Sequence, residues 1–342
     1  MQAKAQPNFR LTVLNPGGRD EAQEFPDGAG ESALPHPPTN FHAYAACSRG
    51  SFQRETKNAL EKQTPVLVLL RGDFGSTERA VDALQAAGRF VAVSLKEIGL
   101  HQIADQLQNS VRLARFVRVV KKANACLAST PEAADLYRAV RGPERVAFIP
   151  TPYPIDDPRW DFSRPIEQRA GIFIGTREWD VPSRNHLAAL TIARRLSERT
   201  GESVTVFDYD GRRGARLLSE IGFPAGKLRV LNKKLAYPDY LREIARHKIV
   251  LQLDTSFVPG QVAGDALLCR IPCVGGNGAI DRLGFPESCG FGRSIEEMQE
   301  IASRLLGDRE FYRTSVTALI SAASKILGFE VVAKQLAEFF KG

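Results

Sequence analysis

Residues 249–276 read IVLQLDTSFVPGQVAGDALLCRIPCVGG. Ile249 to Leu253 is a short apolar run of the kind that forms a buried strand. Asp254 to Pro259 interrupts it with proline and small polar residues. Gly260 to Leu268 then reads as a helix whose first turn carries Gly and Ala, where a backbone can come close to a ligand. Ile271 to Val274 is a second short strand, and Gly275-Gly276-Asn277-Gly278 is a loop that needs permissive dihedrals. A helix N-terminus offers unpaired N–H groups and the positive end of a dipole, which suits a phosphate. The same spacing also fits an αβ unit with no ligand, because glycines are common at such junctions.

The alternation extends outward from this stretch. Upstream, Ala170 to Ile174, Val204 to Phe207 and 228–231 read as strands, separated by helices at Asn185 to Arg199, 212–221 and 237–246. Downstream, Ile295 to Leu306, Glu310 to Leu327 and Glu330 to Lys341 read as closing helices. The first half repeats the pattern. Its strands are expected at Phe9 to Leu14, Val66 to Leu70, Phe90 to Ser94, Ala125 to Ala128 and Val146 to Ile149. Its helices are expected at His42 to Lys62, after a Ser76 cap to Ala87, from Leu100 to Lys122, and after Thr130-Pro131. Residues 20–39 read as a long surface loop. Strict alternation with short strands predicts an open, mostly parallel sheet with helices on both faces. Residues 150–168 hold five of the 20 prolines and mark the boundary between two halves.

The 342 residues suffice for two domains. No apolar run approaches the ~20 residues of a membrane span. MQAKAQPNFRLTVLN lacks the apolar core of a signal peptide, so a cytoplasmic location is expected. The five cysteines show no CxxC spacing and read as buried free thiols. No zinc pattern is present, and no metal is expected. The net charge of +7 admits anionic partners. Its densest clusters, Arg112 to Lys122 and Arg212 to Arg216, carry no aromatics interleaved in a known RNA- or DNA-binding pattern, so no nucleic-acid partner is expected.

Three segments resemble the GT-B glycosyltransferases, most closely the retaining family 4 enzymes. KKANACLASTPEAADLYRAV…ERVAFIPTPYPID is similar to the end of that family's N-terminal domain. GIFIGTREWDVPSRNHLAAL is similar to the opening of its C-terminal domain, with Arg177 on the family's arginine, Arg184 on its lysine and Asn185 following. YPDYLREIARHKIVLQL…GQVAGDALLCRIPCVGG is similar to the donor-binding segment, with Gly260 on the motif's second glycine and Asp265 on its second glutamate. The resemblance covers about residues 115–290 well.

It implies a GT-B fold: two Rossmann-like doubly wound parallel-sheet domains facing a cleft. Residues 1–160 would form the acceptor-side domain and 161–325 the nucleotide-sugar domain. A C-terminal helix, 326–342, would pack back towards the N-terminal domain. It also implies sugar transfer from a nucleotide sugar to an unidentified acceptor, with retention and without metal or other cofactor. Arg177 and Arg184 would contact the diphosphate, beside Gly175 at the strand end. The N–H groups after Gly260, at Gln261 and Val262, would cradle it, and Asp265 would take the ribose hydroxyls. Two fixed cations and a helix tip stabilise the charge that grows on the departing diphosphate. Acceptor-side candidates are Gly17 and Gly18 after the first strand, with Asp73, Lys96, Glu97 and His101 near later strand ends. For His101 an ordinary polar residue at a helix start is the reading favoured over a sugar contact. Basic N-domain helices such as 112–122 admit peripheral contact with an anionic membrane. One departure matters: Phe257 stands where the family carries its first glutamate. A phenyl ring accepts no hydrogen bond from a sugar hydroxyl, so a non-catalytic nucleotide- or glycan-binding protein is the alternative.

Overall fold

The structure is a computed structural model that describes residues 9–28, 34–96, 99–176, 178–209 and 211–341. The chain divides into two compact units. The first comprises residues up to Pro154 together with Phe257–Pro259 and Leu327–Gly342; the second comprises Ile155–Ser256 and Gly260–Ile326.

The first unit holds a seven-stranded sheet in the order β2-β3-β1-β4-β5-β6-β7. Its strands are β1 (Thr12–Leu14), β2 (Gln23–Glu24), β3 (Ser51–Gln53), β4 (Val66–Leu70), β5 (Val91–Leu95), β6 (Ala125–Ala128) and β7 (Val146–Phe148). Every pairing is parallel except that of the short edge strand β2 with β3. The register places Thr12 opposite both Ser51 and Val66.

The central strands are apolar on both faces, as a sheet covered on both sides requires. Val66, Val68 and Leu70 face one core with Phe74, Phe116 and Tyr137. Leu67 and Leu69 face the other with Phe41, Tyr44 and Phe340. The first core is closed by α3 (Gly75–Ala86), α5 (Ser110–Lys122) and α6 (Pro131–Arg141), and the second by α1 (Asn40–Cys47) and the C-terminal α14 (Phe329–Lys341). α14 buries Val332, Leu336 and Phe340, and the Phe340 ring stacks on Phe9 at 5.7 Å. Each such buried side chain contributes about 1.5–3 kcal/mol.

The second unit holds a five-stranded parallel sheet in the order β10-β9-β8-β11-β12. These strands are β8 (Ile172–Ile174), β9 (Val204–Phe207), β10 (Leu228–Leu231), β11 (Ile249–Leu251) and β12 (Cys273–Val274). Ile172, Ile174, Ile249 and Leu251 pack one face against α7 (His186–Thr200) and α12 (Ile295–Gly307). Phe173 lies on the opposite face in an aromatic group with Phe207, Tyr240 and His247. The strand order runs outward from β8 through β9 to β10, then reverses to β11. The two strands at which it reverses are β8 and β11.

Four expectations are corrected here. The helix expected over His42 to Lys62 is two helices, α1 and α2 (Thr56–Glu61), with the parallel strand β3 between them. The break falls at Arg49, which has φ 53°, and at Gly50, where a Cβ would lie 1.9 Å from the Leu11 carbonyl oxygen. The helix expected from Leu100 to Lys122 is split into α4 (Leu100–Leu107) and α5, because the Asn109 side chain accepts from the Arg112 N–H at 3.1 Å and starts a new helix. Ser76 does not cap α3: Asp73 accepts the Gly75 N–H at 3.0 Å, and the Ser76 hydroxyl donates to the Pro16 carbonyl. Finally, α11 (Ala279–Gly284) forms where only a loop was expected. All five cysteines are buried and free.

Candidate functional site

In an open α/β sheet, ligands bind outside the carboxyl ends of the strands where their order reverses. In the second unit those ends are Gly175 after β8 and Gln252 to Asp254 after β11. The Gly175 N–H donates to the Leu251 carbonyl at 3.0 Å, which locks the two ends together. A Cβ on Gly175 would lie 2.4 Å from Val262 Cγ1 and 2.8 Å from Val250 Cγ1. Glycine is therefore what lets the first turn of α10 (Gln261–Leu268) rest against the end of β8. Gly260 is the N-cap of α10, with φ 93° and no side-chain cap, so the helix starts from bare backbone. Gln261 and Val262 open the helix, half-buried.

Arg184 lies just before α7, on a loop made of two successive turns. The Val181 N–H donates to the Glu178 carbonyl at 3.2 Å, and the Arg184 N–H to the Val181 carbonyl at 3.0 Å. The loop is fastened to the segment after β11. The Thr255 N–H donates to the Ser183 carbonyl at 2.9 Å, and the Ser183 and Ser256 hydroxyls lie 2.7 Å apart. The Arg184 guanidinium pairs through Nη1 with Asp254, and through Nε at 2.6 Å and Nη2 with Glu178. Burial works against its charge, but Asp254 and then Glu178 outweigh that, and the Arg184 pKa is raised. Asp254 also accepts the Ser256 N–H at 2.7 Å, and its carbonyl accepts the Asn277 N–H. One aspartate thus ties together the Arg184 loop, the end of β11 and the glycine loop 275–278.

Gly175, Arg184, Gly260, Gln261 and Val262 therefore converge at one sheet edge. Asp265, four residues into α10, is fully buried and accepts a hydrogen bond from the Tyr237 hydroxyl. Arg177 lies outside the described residues. Phe257, half-buried, belongs to the first unit.

The sequence reading missed four residues of this region: Glu178, Asp254, His186 and Asp281. His186 is buried in a stack with Trp179, ring centroids 4.3 Å apart, and burial lowers its pKa. Asp281, in α11, is buried beneath the glycines. Its carboxylate accepts from Gln252 Nε2 at 2.8 Å. Cβ atoms on Gly260, Gly276 and Gly278 would each come within 2.8 Å of that carboxylate. Burial first, and the charge of Asp254 second, raise the Asp281 pKa to about 7. The cluster of glycines at 275, 276 and 278 was the available signal: so many small residues in one loop imply something held closely beneath them.

In the first unit the strand order reverses between β1 and β4. Gly17, with φ 70°, and Gly18 follow β1. Arg71 Nη1 donates to the Gly17 carbonyl at 2.7 Å. Lys96, at the end of β5, pairs with Asp20 at 2.7 Å, and Asn15 Nδ2 donates to the same carboxylate at 2.6 Å. Gly17, Gly18 and Lys96 are thus brought together. Asp73 instead pairs with Arg115 at 2.7 Å while capping α3. His101 is exposed on α4, 3.5 Å from Asp105 one turn along. Glu97 lies outside the described residues.

No family model and no curated protein sequence matches the chain. Solved structures do match it. The UDP-forming α,α-trehalose-phosphate synthase of Burkholderia xenovorans aligns with a TM-score of 0.64 at 11% identity, covering 98% of this chain and 99% of its own. An α-glucosyltransferase solved with UDP and a 13-mer DNA aligns at 0.59 and 9% identity, covering 97% and 99%. TarM of S. aureus, solved with UDP, aligns at 0.59 and 11% identity over 88% of this chain, which spans only 59% of TarM's length. At such identities the likeness is one of fold, and the chain has the GT-B fold.

Proposed function

We propose that the chain is a glycosyltransferase that moves a sugar from a nucleotide-sugar donor to an acceptor. The observation that carries this reading is that Arg184, held by Asp254 just after β11, and the uncapped, glycine-opened start of α10 both stand at the carboxyl ends of the strands where their order reverses. In this reading the donor diphosphate lies between that helix start and Arg184. Asp265, with Tyr237, takes the ribose hydroxyls. As the sugar–phosphate bond breaks, charge develops on the diphosphate, and fixed donors stabilise it without reorganising. Transfer proceeds with retention and without metal or other cofactor. The names of the structural neighbours, a UDP-forming synthase and an α-glucosyltransferase solved with UDP among them, support a transferase.

Titration with UDP, GDP, ADP and CDP and their sugars tests it. Arg184→Ala is expected to weaken donor binding or turnover at least tenfold, since a charge-assisted hydrogen bond contributes ~1.5–3 kcal/mol. Unchanged donor affinity in that variant would remove Arg184 from the site. Binding without turnover on any acceptor would favour the second reading, a non-catalytic nucleotide-binding protein, which Phe257 motivates.

The acceptor side is the first unit, with Gly17, Gly18 and Lys96 at its sheet edge. Among the described residues, no helix is long and apolar enough to cross a membrane. On α5, Val111, 63% exposed, shares a face with Arg118 and Lys122, which pair with Glu78 and Asp82, and Arg112 and Lys121 are exposed on either side of it. That face supports a cytoplasmic protein held at the inner surface of an anionic membrane. Co-sedimentation with vesicles containing anionic lipid, lost in neutral vesicles, is the expected result; equal recovery with both would dismiss the contact.

A further inference from the structure

We infer that Glu178 is a tethered competitor for Arg184, an affinity-setting residue of the donor site that a diphosphate must displace. This rests on the donor reading above and adds to it how the site is held before the donor arrives.

Three observations carry it. The first is geometry. Arginine meets phosphate best through a pair of N–H groups acting as a fork. Here the Nε and Nη2 edge of Arg184 is taken by a single oxygen of Glu178, while Nη1 goes to Asp254. The edge suited to two-point phosphate binding is therefore already occupied by a carboxylate of the same chain.

The second is the difference between the two carboxylates. The Asp254 side chain is 6% exposed and accepts a second bond from the Ser256 N–H, whereas the Glu178 side chain is 55% exposed. Removing Arg184 from Asp254 would strand a buried charge. Releasing Glu178 returns it to water at little cost. A ligand anion thus displaces Glu178 and leaves Asp254 in place to aim the guanidinium.

The third is local construction. Glu178 is kept within reach by the turn that joins its carbonyl to Val181 and by Trp179, whose indole N–H donates to the Phe207 carbonyl at 3.0 Å. Its effective concentration at Arg184 is therefore high, and it returns when the anion leaves.

The test is calorimetric titration of the full chain and two variants with UDP, GDP, ADP and CDP, at low and at high salt. Glu178→Gln keeps the side-chain shape and removes the competing charge. It is expected to bind its preferred nucleoside diphosphate about threefold to tenfold more tightly than the unaltered protein at low salt, the gap closing in concentrated salt as the ion pair is screened. Glu198→Gln is the charge-matched control. Glu198 pairs with Arg194 on the exposed side of α7 and is expected to leave affinity unchanged. Equal or weaker binding by Glu178→Gln overturns the proposal, as does an equal gain in Glu198→Gln. If all three proteins bind none of the nucleotides, the donor reading itself falls and takes this inference with it.

Discussion

The two units place their candidate groups at the same topological position, yet they build it from different materials. In the first unit the helix that begins there, α3, has its leading N–H satisfied by Asp73, and a serine hydroxyl holds its start to the preceding strand's loop. In the second, α10 starts from Gly260 and α7 from Asn185, neither with a side-chain cap. None of the three helices has a side-chain cap at its N-cap residue, but at α3 the first N–H is already taken by Asp73, which leaves one donor fewer for a ligand. The cations differ too. Lys96 is balanced by one half-exposed aspartate, whereas Arg184 is shared between a buried carboxylate and an exposed one. The comparison teaches that strand order sets where a ligand can sit, and local satisfaction of polar groups sets how many donors each unit has left to offer there.

The largest expected difference concerns the glycines. Gly17 and Gly275 both have left-handed backbone, with φ 70° and 92°. A Cβ on Gly17 meets nothing within 4 Å, whereas one on Gly275 would lie 2.2 Å from the Gln252 carbonyl oxygen. Gly17→Ala should therefore cost only backbone strain, about 1 kcal/mol, and leave nucleotide binding intact. Gly275→Ala should cost more than about 2 kcal/mol and disturb the loop over Asp281. Denaturant melts of the two variants check this; equal losses would mean the two glycine loops are built alike.

A smaller difference concerns pH. Asp20 and Asp281 lie beside the two strand reversals, and their pKa values are shifted in opposite directions. For Asp20 burial acts to raise the pKa, but Lys96 and Asn15 prevail and it is lowered. Its contribution is present above the ordinary value of 3.8 and is lost as pH falls through the folded value. For Asp281 the folded pKa is raised to about 7, so the native state holds a proton that the unfolded chain releases. Stability from that group declines as pH rises from about 4 to about 7. Asp281→Asn cannot titrate. Its stability relative to the unaltered protein should climb across that window. Curves that stay parallel would show that Asp281 carries its charge in the folded state. The smallest effect in this series is the gain expected from Glu178→Gln, which has no counterpart among the Lys96 contacts.

Much of the architecture was open to reading. Val66–Leu70, Ala125–Ala128, Val204–Phe207 and Leu228–Leu231 fall where the apolar runs placed them. The Thr130 cap with Pro131 behind it starts α6 as expected, its hydroxyl accepting the Ala133 N–H at 3.2 Å. β3 was hidden because Ser51-Phe52-Gln53 is too short to show a period of its own, and the helices on either side absorbed it. Asp281 was hidden because α11 is a six-residue helix in a glycine-rich loop. A lone aspartate there gives no hint of burial.

Sequence alone determined the alternation of strands and helices and the identity of the glycine-opened helix, because hydrophobic period and backbone permissiveness are properties of neighbouring residues; the GT-B fold was implied only by the resemblance of three segments to that family. Tertiary structure alone decided what Arg184 pairs with. Asp254 lies 70 residues away in the chain, and only the parallel pairing of β8 with β11 carries it to the guanidinium. It also decided that Asp281 is buried, since an aspartate's solvation depends on which elements close over it.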